Sequence, residues 1–236
     1  MVKAFVITPV KDSLQSTLET IKAIHNSEIE IEHIVYNDFS NKETKLSLQN
    51  NSTKLCYQLI NVEEITNSPS PNYKLILKQA QKLALKKGLP LIIVESDVKI
   101  KPNTLGQIIQ FNNENEKEGL IGAITVDDFG NINYPYLKFK NITKTIIKTK
   151  RSISFCCTLL SIPFLKSFDF ENLNQKKYWY DTIISKKAIE LKFENYILMD
   201  TQVGHRPHSS RPWKQLKYKN PVKYYIYKFL KRRDKI

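Results

Sequence analysis

Three acidic residues stand where extended apolar runs of the sequence give way to polar ones: Asp38 after Ile31–Tyr36, and Glu95 and Asp97 after Leu91–Val94. In Glu95-Ser96-Asp97, alternate residues share a side if the chain is extended, so both carboxylates can turn toward one point. Such a pair suits a hard cation, Mg²⁺ or Mn²⁺, which takes one or two carboxylates and completes its shell with phosphate oxygens and water. An acid after a strand also simply begins a turn, and the spacing by itself leaves both roles open.

These acids need a frame, and the chain supplies one. Ala4–Ile7 is a short, continuously apolar strand that meets Pro9. Ser13 is placed to cap a helix with Leu14, Leu18 and Ile21 on one side. Ile31–Tyr36 is a second strand, and a weaker one lies near Cys56–Val62. Asn67–Asn72 is a Pro-rich loop, followed by a helix with Tyr73, Leu77, Ala80 and Ala84 on one face and Gly88 at its end. Leu91–Val94 is a fourth strand. This alternation predicts an α/β domain with a mostly parallel central sheet flanked by helices. Ligands of such sheets bind beyond the carboxyl ends of the strands, where Asp38, Glu95 and Asp97 fall. In the second half, Leu120–Val126 and Ser152–Leu160 read as strands and Trp179–Leu191 as a helix. Tyr196–Met199 is an apolar segment ahead of His205. Cys156 and Cys157 read as core residues.

Composition removes several classes. The chain has 236 residues, 41% hydrophobic and 25% charged, which suits one globular domain with a real core. Its six glycines begin only at Gly88, so neither a dinucleotide fingerprint nor a phosphate-cradling P-loop can be written near the N-terminus. No apolar run reaches 18 residues, and the opening MVKAFVITPVKD is closed too soon by Pro and charge for a secretory signal. The three cysteines form no C-x-x-C pair, which argues against a zinc ribbon, a redox motif or a disulfide scaffold. A reducing, cytoplasmic setting is the expectation.

The formal charge is +14, and most of it is terminal. Arg206–Ile236 holds eleven Lys or Arg against one Asp, leaving +4 on the first 205 residues. A second basic stretch, Lys138–Arg151, has six Lys or Arg and no acid. Within the tail, Val222, Tyr225, Ile226, Phe229 and Leu230 fall at i, i+3, i+4, i+7 and i+8, an amphipathic helix with Pro221 in its first turn. Lys223, Lys228, Lys231, Arg232 and Arg233 flank the stripe, with Tyr224, Tyr227 and Trp213 as further aromatics. That pattern suits an anionic membrane surface better than nucleic acid; a terminal helix docked on its own domain is the plainer alternative. Residues 1–210 are therefore read as the folded domain and 211–236 as a basic extension.

The order of motifs carries more than any one of them. A first strand ending in Thr8-Pro9-Val10, then HIVYNDFSNKET from His33, LPLIIVESDVKIKPNTL from Leu89, and YWYDTIISKKAIELKFENYILMDTQVGH from Tyr178 resemble the family 2 glycosyltransferases of the GT-A fold over roughly Lys3–His208. The resemblance implies a nucleotide-sugar donor, a divalent metal (Mn or Mg) and transfer with inversion. It implies that Thr8 and Pro9 line the nucleotide pocket and that Asp38 hydrogen-bonds the base or ribose. It matches Glu95-Ser96-Asp97 to the family's D-x-D, with Asp97 on the metal, and Asp181 to the acid that deprotonates the acceptor. His205 falls where a late His approaches the metal or diphosphate. Lys74, just after the Pro-rich loop, is positioned to reach donor phosphates; His208 is a weaker candidate. The family's usual D-D-G-S is here Asn37-Asp38-Phe39-Ser40, its D-x-D is E-S-D, and its E-D is Tyr180-Asp181.

Inverting transfer needs charge neutralised on the departing diphosphate and a base on the opposite face of the sugar. Acids from separate parts of the chain meet that need. The expectation is an inverting glycosyltransferase acting on a glycan or lipid-linked acceptor, in polysaccharide or lipopolysaccharide assembly, held at the cytoplasmic face of the membrane by its basic helix. A nucleotidyltransferase, or a non-catalytic membrane- or nucleic-acid-binding module, are the alternatives.

Overall fold

The computed structural model describes residues 1–174, 179–206 and 220–230. Tyr178, His208, Trp213, Lys231, Arg232, Arg233 and the boundary expected near residue 210 lie outside the described residues.

The apolar runs form the strands they predict. β1 (Ala4–Val10), β2 (Ile31–Asn37), β3 (Gln58–Asn61) and β4 (Leu91–Val94) pair in parallel. The connections carry α1 (Leu14–His25), α2 (Lys42–Asn51) and α3 (Tyr73–Lys87). α3 ends as its sequence requires: Gly88 takes the left-handed backbone (φ 64°) that a side chain would disfavour, and its N–H satisfies the last carbonyls. α1 departs from expectation. Ser13 sits at φ 53° and makes no side-chain cap, and the helix buries Thr17, Thr20, Ile21 and Ile24 instead of a Leu14–Leu18–Ile21 face. The left-handed Asp12–Ser13 pair sets this rotation, and the Thr17 hydroxyl donates back to the Asp12 carbonyl.

Beyond β4 the sheet becomes mixed. β8 (Cys157–Leu160) runs antiparallel between β4 and β6 (Glu118–Val126), and β9 (Glu194–His205) lies parallel to β6. β5 (Val98–Lys99) and β7 (Ile146–Thr149) both pair antiparallel with β9. The order is β3-β2-β1-β4-β8-β6-β9-β5, with β7 also on β9. α4 (Thr104–Glu114), α5 (Ile162–Ser167) and α6 (Tyr180–Glu190) cover the sheet, and α7 (Pro221–Leu230) follows.

The alternation of β1 shows how the two faces are filled. Phe5 and Ile7 join α3, α5 and α6 in one apolar layer, and Ala4 and Val6 join Leu105 and Ile108 of α4 in the other. Cys156 and Cys157 are buried core residues, as expected.

β9 runs well past the apolar Tyr196–Met199 segment. Adjacent Ala123 and Ile124 of β6 pair with Leu198 and Gln202, so a bulge absorbs the three residues between and lets the strand continue to His205. His205 is therefore a buried strand residue at 4% exposure, not part of a loop.

Candidate active site

The parallel strands end together: Val10, Asn37 and Asn61 stand in register across β1, β2 and β3. The Asn37 amide donates to the Asn61 side chain at 2.9 Å and accepts from the Ser40 N–H at 3.2 Å. Asn37 thus locks the turn that carries Asp38. Phe39, where the resembling motif has Gly, holds a left-handed backbone (φ 57°), at a cost of about 1–2 kcal/mol. Its carbonyl accepts from the Lys11 ammonium, and its ring packs against the core.

Asp38 is 7% exposed and grips the Pro-rich loop. One carboxylate oxygen accepts from the Ser70 hydroxyl at 2.7 Å and the Asn72 N–H at 2.9 Å; the other accepts from the Asn72 amide at 2.8 Å. A carboxylate offers about four lone-pair directions, and these bonds take three of them. Ser70 and Asn72 are partners that the sequence showed only as loop.

Glu95-Ser96-Asp97 is not extended. Val98 N–H donates to the Glu95 carbonyl at 3.1 Å, closing a tight turn between β4 and β5, and the Glu95 N–H is held by the Cys156 carbonyl at 3.0 Å. What faces this turn is set by β5. β5 pairs with β9 so that Val98 lies opposite His205, and the Arg206 N–H donates to the Asp97 carbonyl at 3.2 Å. This register brings His205 Nε2 to 3.6 Å from Asp97 Oδ2, with both side chains buried.

The histidine is held from behind. Nδ1 lies 2.7 Å from the Tyr134 carbonyl, which can only accept, so Nδ1 carries a hydrogen and the ring is held with Nε2 facing the Asp97 carboxylate. The Asn133 amide donates to the His205 carbonyl at 2.8 Å. Burial pulls the His205 pKa down, but the Asp97 carboxylate, the Tyr134 carbonyl and Glu95 outweigh it and leave it raised. The surroundings thus favour positive charge at this point.

Asp181 enters from α6, in whose first turn a carboxylate meets the positive end of the helix dipole. Its Oδ1 accepts from the Thr182 N–H at 2.7 Å. The link to the other acids is Tyr134. Burial pushes its phenol above the ordinary range, and Asp181, Tyr224, Cys156 and Glu95 push the same way. One tyrosine thus braces His205 with its carbonyl and shares surroundings with Asp181 and Glu95 through its ring. Tyr134 was not legible as a site residue; the Tyr134-Pro135-Tyr136 cluster inside an otherwise polar and basic stretch is the signal that marks it.

The remaining candidates are placed less centrally. Thr8 is fully buried and its hydroxyl lies 2.9 Å from His33 Nε2, so Pro9 is the member of that pair with exposed surface. Ser96 is buried inside its turn at 7% exposure. Lys74 belongs to the row Lys74, Lys78, Lys82 along α3, whose field lowers the Glu171 pKa behind the Lys78 ion pair. Two shallow grooves beside α4 contain none of these side chains.

Solved structures share this fold at low sequence identity. A mannosyltransferase from Pyrobaculum calidifontis, in complex with GDP-Man and Mn²⁺, superposes with a TM-score of 0.66 at 12% identity, covering 95% of this chain and 63% of its own. S. aureus TarS 1–349 in complex with UDP-GlcNAc gives 0.64 at 19%, covering 88% and 60%. GalNAc-T7 with UDP, GalNAc and Mn²⁺ gives 0.61 at 14%, covering 87% and 44%. The chain has the GT-A glycosyltransferase fold. It spans less than two thirds of each of these structures. No family model and no curated protein matches its sequence.

On this fold the donor set can be tested against a divalent cation. Asp97 and His205, both buried and 3.6 Å apart, are the side chains that would hold such an ion. Among the described residues no third His, Cys, Asp or Glu completes a metal cage. Two protein ligands with the remaining positions left to phosphate and water is the pattern of a Mg²⁺ or Mn²⁺ substrate site. The residues fit the group.

Proposed function

We propose that this protein is an inverting glycosyltransferase that moves a sugar from a nucleoside-diphosphate sugar to a hydroxyl of a glycan or lipid-linked acceptor. The observation that carries the reading is the pairing of Asp97 with a histidine whose Nε2 is aimed at it by the Tyr134 carbonyl. It leaves Nε2 facing the carboxylate, as a histidine that shared an ion with Asp97 would be held.

In this reading Asp97 and His205 hold the metal, whose chemistry when bound is Lewis-acid neutralisation of the donor diphosphate. Asp38 gives its remaining lone pair to the nucleoside. Pro9 and the end of β1 form the floor beneath the base, and Glu95 and Ser96 close the turn around the diphosphate. Asp181 accepts the acceptor hydroxyl's proton as the hydroxyl oxygen bonds to the anomeric carbon. The bond from that carbon to the diphosphate oxygen breaks on the other face, and the electron pair leaves with the diphosphate. A positioned base of this kind contributes about 10²–10⁴-fold. GDP-mannose and UDP-GlcNAc, the donors bound by similar structures, are the first to try.

Thermal shifts with UDP, GDP, CDP and dTDP, each with and without Mn²⁺, on the wild type and Asp97→Ala test the donor site. Stabilisation by one nucleotide that needs both Mn²⁺ and Asp97 supports the reading and names the base. No shift with any nucleotide refutes it.

A further inference from the structure

The surface left over by this reading is on α7. Val222, Tyr225, Ile226, Phe229 and Leu230 are exposed, Phe229 to 78% and Val222 to 68%. At 100° per residue these five span an arc of about 140° on one side of the helix. Tyr224 points the opposite way and is the least exposed residue of the helix's first two turns. An amphipathic helix of a globular domain ordinarily packs its apolar face inward. α7 does the reverse, turning its phenol back toward the domain and its apolar stripe to solvent.

We infer that α7 is a membrane-surface anchor whose apolar face lies in the headgroup–acyl boundary of an anionic bilayer. Charge complementarity selects this occupant. The segment from Arg206 onward carries eleven basic residues and one acid, and Lys223 lies over the Tyr227 ring at the border of the stripe. A basic helix with Tyr and Phe at its apolar border is suited to the interface of negatively charged lipid, where residues of each kind add to binding. Ten residues rise only about 15 Å, too short to cross a bilayer, so the helix lies in the plane. No described helix is long and apolar enough to span.

Delivery of the enzyme to a membrane-borne acceptor rests on the proposed transferase reading; the anchoring does not.

The test uses the full chain with vesicles of phosphatidylcholine alone and with about 30% phosphatidylglycerol, in co-sedimentation at about 0.1 M salt. The wild type should bind the anionic vesicles and bind phosphatidylcholine weakly. The double variant Ile226→Asp/Phe229→Asp, which alters only exposed side chains, should bind at least about tenfold more weakly. Donor-nucleotide thermal shifts should be the same in both proteins, while transfer to a vesicle-embedded acceptor falls and transfer to a water-soluble one does not. Equal binding by wild type and variant overturns the anchor even if donor binding is intact. So does a wild type that ignores anionic vesicles and is dimeric by light scattering until the two Asp are introduced, since the stripe would then be covered by a second copy. Binding to an RNA oligonucleotide at the same salt, with none to vesicles, overturns it as well. Vesicle binding without any nucleotide shift leaves the anchor standing and removes the transferase reading.

Discussion

The His205 pairing makes a demand that two substitutions can separate. In His205→Asn, the side-chain amide N–H can take the place of the ring Nδ1–H that meets the Tyr134 carbonyl at 2.7 Å, but the shorter side chain no longer extends to Asp97. In His205→Ala both are lost. Losing an outer partner of a metal ligand costs about 10–100-fold in metal affinity, and losing the ligand itself should cost no less. A wild type saturated to 100 times its Kd in metal and nucleotide gains about 2.7 kcal/mol; at a hundredfold weaker affinity the same concentrations give only about 0.4 kcal/mol. The difference of about 2.3 kcal/mol corresponds to roughly 5–9 °C of lost nucleotide-dependent Tm shift for a domain of this size. Without ligand, the Asn variant should melt close to the wild type, and the Ala variant should melt lower, because the Tyr134 carbonyl keeps only the long bond from the Thr125 hydroxyl at 3.4 Å, a loss of about 1 kcal/mol. Differential scanning fluorimetry with and without Mn²⁺ and the stabilising nucleotide reads all four numbers. If His205→Asn keeps the full metal-dependent shift, Nε2 ligates nothing and the histidine is a structural link between β9 and the Tyr134 turn.

Three further outcomes follow from the geometry. Asp181→Asn should keep the donor-dependent Tm shift while turnover, followed by nucleoside-diphosphate release, falls about 10²–10⁴-fold; turnover at the wild-type rate would remove Asp181 from the chemistry. Burial pushes the His33 pKa down to about 3, against about 6.5 unfolded, so the unfolded chain binds the proton that the native chain refuses. Stability is then lost as pH falls below about 6.5, by about 2 kcal/mol at pH 5 relative to pH 8, and urea titrations of wild type and His33→Gln should show this slope only in the wild type. Gly119→Ala would place a Cβ 2.9 Å from the Cβ atoms of both Ala188 and Phe193, so β6 and α6 must part. The expected cost is about 1–3 kcal/mol, and because α6 carries Asp181, kcat should fall while donor binding holds.

What the sequence makes legible is what short-range chemistry determines. Leu91–Val94 can only be a buried strand, Gly88 can only end α3, and both follow from a few adjacent residues. The acids at the strand ends were legible for the same reason, since strand and acid are neighbours in the chain. The joining of the site was not. That His205 faces Asp97 depends on the register of the two-residue strand β5 against β9, and on a bulge that lets β9 cross the polar Asp200-Thr201-Gln202. Neither has a periodicity to read: two residues are too few, and a bulge is a break in the pattern. Tyr134 acts through its carbonyl, which every residue has, so no side-chain type at that position could announce the role. Asn37-Asp38-Phe39-Ser40 makes the same point from the other direction. The motif lacks the Gly of the one it resembles, yet the turn survives, because Lys11 binds the Phe39 carbonyl, the core takes the Phe39 ring, and Asn37 ties Ser40 to β3. Contacts from Lys11, the core and the β2–β3 pair offset the strain at Phe39. The Asp38 carboxylate then stays where the sheet ends, and the loop that Ser70 and Asn72 hang from it forms one wall of the proposed donor site.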